Sequence, residues 1–178
     1  MTNKIWKAFV NYEKEELWVN DMSRKGYHLI NYTFLKYTFE YDPNITYYYR
    51  IELLSKTPSH EESKNYISFL EETGAKHITS YLSWIYLRRP TSEGDFLLHS
   101  DYASKIKHRK TILMLQAPFA VLNVWFGFFN LIFGTSQSSF NLYLSPFSFA
   151  VGILLTVLAI KQYKKIKVLE KEQSLRES

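Results

Sequence analysis

The side chains in this 178-residue chain best suited to proton transfer or metal binding are five histidines, His28, His60, His77, His99 and His108. Their spacing argues against a metal centre. No two stand four apart as ligands on one helical turn, and there is no cysteine to complete a zinc set. The adjacent carboxylates Glu15-Glu16, Glu61-Glu62 and Glu71-Glu72 fall at helix starts or on helical surfaces, where solvation and the helix dipole account for them. No glycine-rich phosphate loop and no glycine-flanked serine elbow is present. What remains is Arg50, which shares a strand face with Glu52 and can meet Arg88 on a neighbouring strand. A cross-strand ion pair is the expectation, with an anion site as the alternative. With His28, Tyr48 and Trp84 added, Arg50 and Arg88 form the candidate partner or ligand surface; no catalytic residue, metal or cofactor is expected.

A second pattern of polar residues lies in an apolar setting. Gln116, Asn123 and Asn130 recur every seven residues, and Ala120, Gly127 and Gly134 follow each by four, so all six share one helical face. Ser145, Ser148, Gly152 and Thr156 follow in the next apolar segment at spacings of three, four and four. Small residues let helices approach closely in lipid, and amides hydrogen-bond across such an interface. The expected chemistry is therefore packing, within a hairpin or with a second copy or another membrane protein. Pro118 and Pro146 are placed in first helical turns, where proline costs little.

The elements carrying this seam are two apolar spans. Residues 111–134 contain no charge over 24 positions, about 36 Å as a helix, and residues 142–160 give 19 positions, about 28 Å. The polar connector 135–141 makes them antiparallel neighbours. Charge supplies an orientation. The chain holds 22 basic and 17 acidic residues, formally +5, but residues 1–104 hold 12 basic and 14 acidic ones. The excess sits in the linker 105–110, with four basic residues, and in the tail 161–178, with six basic against three acidic. Basic flanks around an uncharged connector predict a multi-pass protein of the cell membrane with both termini cytoplasmic. The net-acidic segment 1–104 argues against direct nucleic-acid binding, and the basic collars favour the lipid bilayer as partner.

Residues 1–104 alternate strands and helices. Strands are expected over 6–12, 27–34, 36–41, 46–53, 76–81 and 84–89. Helices are expected over 13–25, with an apolar stripe at Leu17, Trp18 and Met22, and after a capping box that starts at Ser59, up to Gly74. The order strand, helix, strand, strand occurs twice. An offset of 49 superposes His28 on His77, Tyr32 on Tyr81 and Tyr37 on Tyr86, whereas Gly26 and Gly74 differ by 48. The fold class is therefore α+β, an antiparallel sheet with two helices on one face, ferredoxin-like and duplicated, followed by a two-helix transmembrane hairpin. Twelve of the 14 tyrosines lie in this half, which predicts an aromatic open sheet face. A helix over 100–110 is expected to run straight into the first span.

Several short signatures stand out together: Glu15-Glu16-Leu17-Trp18, Gly26-Tyr27-His28-Leu29, Tyr49-Arg50-Ile51-Glu52, Trp84-Ile85-Tyr86-Leu87-Arg88-Arg89, and His99-Ser100-Asp101 with Ser104-Lys105-Ile106-Lys107. In combination they resemble the bacterial family catalogued as domain of unknown function 2812, over roughly residues 6–110. The resemblance implies a membrane protein often encoded beside a PadR-like transcriptional regulator, and supplies no catalytic residues. The functional expectation is a membrane-anchored cytoplasmic binding, sensing or regulatory module without catalysis. The alternative is a small oligomeric transport or permeability subunit using the amide seam.

Overall fold

The computed structural model describes residues 2–98, 102–134 and 139–177, in two compact units that divide between Leu98 and His99. The first unit contains β1 (Thr2–Trp6), α1 (Tyr12–Arg24), β2 (Tyr27–Thr33), β3 (Lys36–Tyr41), β4 (Tyr47–Leu53), α2 (Glu61–Glu72), β5 (Lys76–Tyr81) and β6 (Trp84–Pro90), then a single 3-10 turn, Thr91–Glu93. The second contains α3 (Tyr102–Gly134) and α4 (Ser139–Glu177).

The strand-helix-strand-strand duplication is visible in the hydrogen-bond ladders. There are two three-stranded antiparallel sheets, ordered β1-β3-β2 and β4-β6-β5, so each half places its third strand in the middle. Each hairpin carries a bulge at the same point, between Leu29 and Asn31 and between His77 and Thr79, an offset of 48. Gly26 and Gly74, also 48 apart, both close a helix with positive φ, +83° and +92°, where a side chain is strained. The histidine and tyrosine matches at offset 49 are thus one residue out of register. On a strand, one residue is the difference between faces.

The single sheet expected from sequence is divided in two. β2 and β5, the equivalent strands of the halves, lie side by side without a shared ladder, joined by side chains: Thr79 Oγ1 donates to Asn31 Oδ1 at 3.0 Å, and the Tyr32 and Tyr81 rings are 5.4 Å apart. Nor do the helices share a face. Ile85, Tyr86 and Leu87 are all buried, so β6 needs cover on both sides. Tyr86 joins Val19, Leu29, Tyr37, Phe39, Tyr49 and Ile51 in a core with α1; Ile85 and Leu87 join Leu54, Leu70, Ala75 and Phe96 in a second core with α2. The expected open aromatic face is largely internal, with Tyr37, Tyr49 and Tyr86 at 1%, 1% and 3% exposure.

Local departures have simple causes. The first strand occupies residues 2–6, because Asn11 caps α1 by accepting from the Glu13 and Lys14 amides and residues 7–10 become the connection. α2 is capped by His60, whose Nδ1 accepts from Glu62 N at 3.2 Å, while Ser59 bonds Thr57. Leu17 of the expected apolar stripe is 68% exposed; α1 turns Glu15, Val19, Asn20 and Ser23 inward.

In the second unit, α3 and α4 pack as an antiparallel pair whose inward positions alternate by three and four. On α3 these are Leu113, Gln116, Ala120, Asn123, Gly127, Asn130 and Gly134; on α4 they are Ser145, Ser148, Gly152, Leu155, Ala159, Gln162 and Ile166, each buried or half-buried. This 3.5-residue period is that of a left-handed supercoil. It explains why Leu155 takes the place expected for Thr156, which is exposed and donates to Gly152 O at 2.8 Å on its own helix. Every seventh position is small, and the backbones are close: a Cβ added to Gly127 would lie 2.8 Å from the Phe149 ring, and one on Gly152 2.8 Å from Val124 Cγ2 and 3.0 Å from Val124 N. Ser145 Oγ donates to Gly127 O at 2.9 Å across the pair.

Both helices extend past the apolar runs, as far as Tyr102 at the start of α3 and Glu177 at the end of α4. Pro118 and Pro146 are therefore interior rather than first-turn residues, each removing one main-chain hydrogen bond. The tail is helical and tied to α3 by Arg109 Nη1 to Gln162 Oε1 at 2.9 Å and Lys110 to Glu170 at 2.9 Å. The junction at Ser100 and connector residues 135–138 lie outside the described residues.

Candidate functional site

Helix α1 organises the first unit by meeting an edge strand with polar side chains. Glu16, Asn20 and Ser23, spaced four and three, form one stripe. β4 is the edge of its sheet, and its outward amides recur at every second residue. The two periods match. Tyr47 N donates to Ser23 Oγ at 2.9 Å, Tyr49 N to Asn20 Oδ1 at 2.8 Å and Ile51 N to Glu16 Oε2 at 2.8 Å, while Asn20 Nδ2 returns a bond to Tyr49 O at 3.0 Å. Arg50 reaches round this edge to Glu16 Oε1 at 3.2 Å and to Tyr49 O at 3.1 Å.

One residue before Glu16, and so about 100° round the helix, Glu15 is the most enclosed carboxylate on α1, at 9% exposure. Its Oε1 accepts from Tyr37 OH at 2.8 Å and from Tyr86 OH at 2.5 Å. A helix and one strand from each sheet, α1, β3 and β6, thus converge on one oxygen. Tyr32 flanks the pair, with ring centroids 4.6 Å from Tyr37 and 5.1 Å from Tyr86. Burial pushes the Glu15 carboxyl above the ordinary glutamate range, against the pull of the two phenols; burial, with the carboxylate beside them, pushes both phenols well above the tyrosine range. Glu16 is raised too, by burial first, opposed by the Ile51 amide and Arg50. Both phenols donate, so the cluster has a proton relay's components arranged as a clamp.

The five candidates from sequence do not form one surface. His28 is 1% exposed and structural: its Nε2 lies 2.7 Å from Asp42 O, its Nδ1 3.4 Å from Ser23 Oγ, and its ring meets Tyr47 edge-on at 4.9 Å. With Nε2 donating to the carbonyl, Nδ1 accepts from the serine hydroxyl, which in turn accepts from Tyr47 N. Arg88 is paired in register with Tyr49, not with Arg50, so it stands on the other face of its sheet. Its guanidinium stacks on Tyr47 at 4.2 Å, beside the Tyr49 phenol, and its buried Nε and Nη1 have no acceptor. Trp84 packs with Tyr12 at 5.3 Å, and Tyr48 belongs to the α2 side. The structure brings together His28, Tyr47 and Arg88, puts Arg50 and Tyr48 on the opposite sheet face, and sets Trp84 four residues along β6 from Arg88 on the same face, against the same core.

Sequence reading missed Glu15 and the Glu16, Asn20, Ser23 stripe. A signal existed. Four polar residues at 16, 20, 21 and 23 surround Val19 on a helix whose neighbours are strongly aromatic, and a polar stripe facing a sheet implies backbone groups to satisfy. Among the described residues, no group of three or more His, Cys, Asp or Glu side chains could hold a metal ion.

In the second unit, Ala120, Gly127, Ser145 and Gly152 lie buried between the helices, with Gln116, Asn123, Asn130 and Ser148 half-buried beside them. Asn123 Nδ2 donates to Phe119 O at 2.8 Å on its own helix, and the buried Oε1 of Gln116 has no partner. Both helices are long and apolar enough to cross a membrane.

No curated protein and no solved structure matches the chain. A family model does, described as protein of unknown function DUF2812 and matching residues 11–121, from the cap of α1 to the middle of α3. With well over half of its length in that match, the chain belongs to the DUF2812 family.

Proposed function

We propose that this protein is a membrane-anchored binding or sensing module, its hairpin in the bilayer and its β-rich unit in the cytoplasm, acting through a protein partner rather than through catalysis. The observation that carries this reading is the outward surface of the hairpin. In the most apolar 18-residue window of each long helix only 17% of residues are buried, and Phe119, Val121, Trp125, Phe128, Phe147 and Ile153 are all more than half exposed. A core helix of a soluble protein would bury most of such a window; lipid is the cover that suits an apolar band on this scale. The basic stretch 105–110 and the lysines of 161–167 flank that band on one end, which supports cytoplasmic termini.

The non-catalytic part rests on the first unit. Glu15, Glu16 and His28 are enclosed acid-base groups of that unit, and each is held by backbone or phenol partners that position strands. A transcriptional regulator of the PadR-like kind is the partner that the family resemblance favours.

The absence of cysteine makes the anchoring directly testable. In the full chain in cells, Ser139→Cys is expected to react with a membrane-impermeant maleimide from outside, and Ser174→Cys only after permeabilisation. Equal labelling of both in intact cells would overturn the topology, and extraction by alkaline wash would overturn the anchor. For the partner, photo-crosslinking from exposed α2 positions such as Phe69 is expected to give a heterologous adduct in native membranes; none at any exposed α2 position would remove the binding reading.

A further inference from the structure

The amide column of α3 is incompletely served by the chain that carries it. Gln116, Asn123 and Asn130 are spaced by seven, half-buried on one flank of the hairpin seam. Their hydrogen-bonding capacity is poorly used: the Gln116 carbonyl oxygen has no partner, Asn123 spends its donor on Phe119 O of its own helix, and among the described residues none bonds the Asn130 amide. In an apolar band, each unmet amide group carries a desolvation cost that water cannot relieve. The Gln116 oxygen is buried within the hairpin, but the half-buried Asn123 and Asn130, in register on one flank, mark an interface, since scattered polar residues would not repeat with the supercoil period.

We infer that this flank binds a second copy of the same chain, Asn123 pairing with its counterpart near the middle of the apolar band and Asn130 with its own about 10 Å nearer the connector. The inference rests on the hairpin lying in the bilayer. A second copy is singled out by chemistry: a carboxamide is donor and acceptor at once, so identical amides brought together across a two-fold axis satisfy each other. The flank is free of charge, so no repulsion opposes like meeting like. Phe119 and Phe126, each next to the amides on the outward side, are 55% and 47% exposed and supply the apolar rim. Ala120, Gly127 and Gly134 stay committed to α4 within each copy.

The test uses the full chain in native membranes and single cysteines in its cysteine-free background. Phe126→Cys is expected to form a disulfide-linked species of twice the chain mass under mild oxidation. Val121→Cys lies about 140° round the helix at 100° per residue, and is expected not to. Chance collision favours the opposite result, because Val121 is the more exposed at 68%. Replacing Asn123 and Asn130 with leucine is expected to lower the Phe126→Cys yield at least fivefold, and replacing them with glutamine to preserve it. Equal yields at 121 and 126, an adduct of any other mass, or a yield indifferent to leucine would overturn the proposal. The comparison of 121 with 126 needs no amide substitution, so it stands even where the leucine variant fails to insert. Normal Ser139→Cys labelling without a 126 cross-link would defeat this inference while leaving the anchored module intact.

Discussion

The two units treat most polar groups in apolar surroundings in opposite ways, with Arg88, whose buried Nε and Nη1 have no acceptor, the exception in the β-rich unit. In the β-rich unit, the enclosed Glu15, Glu16, Asn20, Ser23 and His28 each meet a defined partner, mostly the main chain of another element. In the hairpin, three amides on one column are left with unmet capacity, and close packing depends on small residues and one serine-to-carbonyl bond. Satisfied groups specify one internal arrangement. In the hairpin, the half-buried Asn123 and Asn130 are the polar groups that the pairing proposed above would use.

The largest effect should come from breaking the satisfied side. Glu15→Ala removes the acceptor of two buried phenols and leaves a void, so we expect a loss of about 3 kcal/mol. Glu15→Gln keeps one acceptor oxygen and should cost about 1 kcal/mol. Thermal unfolding of the full chain in micelles, followed by near-UV circular dichroism of the aromatic core, measures both. If Glu15→Ala behaves like a surface substitution, the clamp is ornamental and the contrast between the units fails on this side.

How much of this contrast is legible in the sequence differs by unit, for a physical reason. In the hairpin, the seam follows from spacing, because two helices in contact have only one periodic face to offer; the supercoil, which substitutes Leu155 for Thr156, and the helix ends, which make Pro118 and Pro146 interior, do not. In the β-rich unit, element order and the duplication are readable, because glycines at 26 and 74 answer a backbone requirement that strand pairing cannot disguise. The side-chain matches at offset 49 misled, because the bulges at Leu29/Asn31 and His77/Thr79 lie 48 apart and fix the true correspondence, so an offset of 49 pairs residues on opposite faces. The clamp was invisible because Tyr86 stands 71 residues from Glu15 and its hydrogen bond depends on how two sheets meet. Arg50 looked like a partner for Glu52 or Arg88 because strand alternation ignores a helix lying along the edge.

A smaller effect is expected on the hairpin. Gly152→Ala places a methyl 3.0 Å from the Val124 main-chain nitrogen, which cannot rotate aside as a side chain can. Forcing the helices apart should cost about 2 kcal/mol, read as a lower midpoint for loss of structure when full chain in mixed micelles is titrated with sodium dodecyl sulfate. Gly127→Ala should cost less, because its obstacle, the Phe149 ring, is a side chain. Equal tolerance of both would mean that the small column serves something other than close approach of α3 and α4.

The subtlest expected effect is on pH dependence, and it separates the clamp from the edge-capping stripe. Burial raises Glu15 above the ordinary 4.5 of a glutamate, so the folded chain holds this proton over a range in which the unfolded chain has released it. Its contribution to stability is therefore full below the unfolded value and declines as pH climbs through the raised folded one. Glu16, also raised by burial, adds a decline of the same sign. Asp21 acts the other way: Lys25 and Arg24 hold it below its usual range, so its small, exposed contribution is lost on acidification. The wild-type curve mixes these signs, but its difference from Glu15→Gln isolates one group, because glutamine cannot titrate. We expect stability relative to that variant to fall as pH rises above the ordinary glutamate value, while Glu16 continues to slope in both proteins. A flat difference would mean that the phenol hydrogen bonds offset desolvation completely, making Glu15 an ionised anchor like the exposed pairs on the same helix.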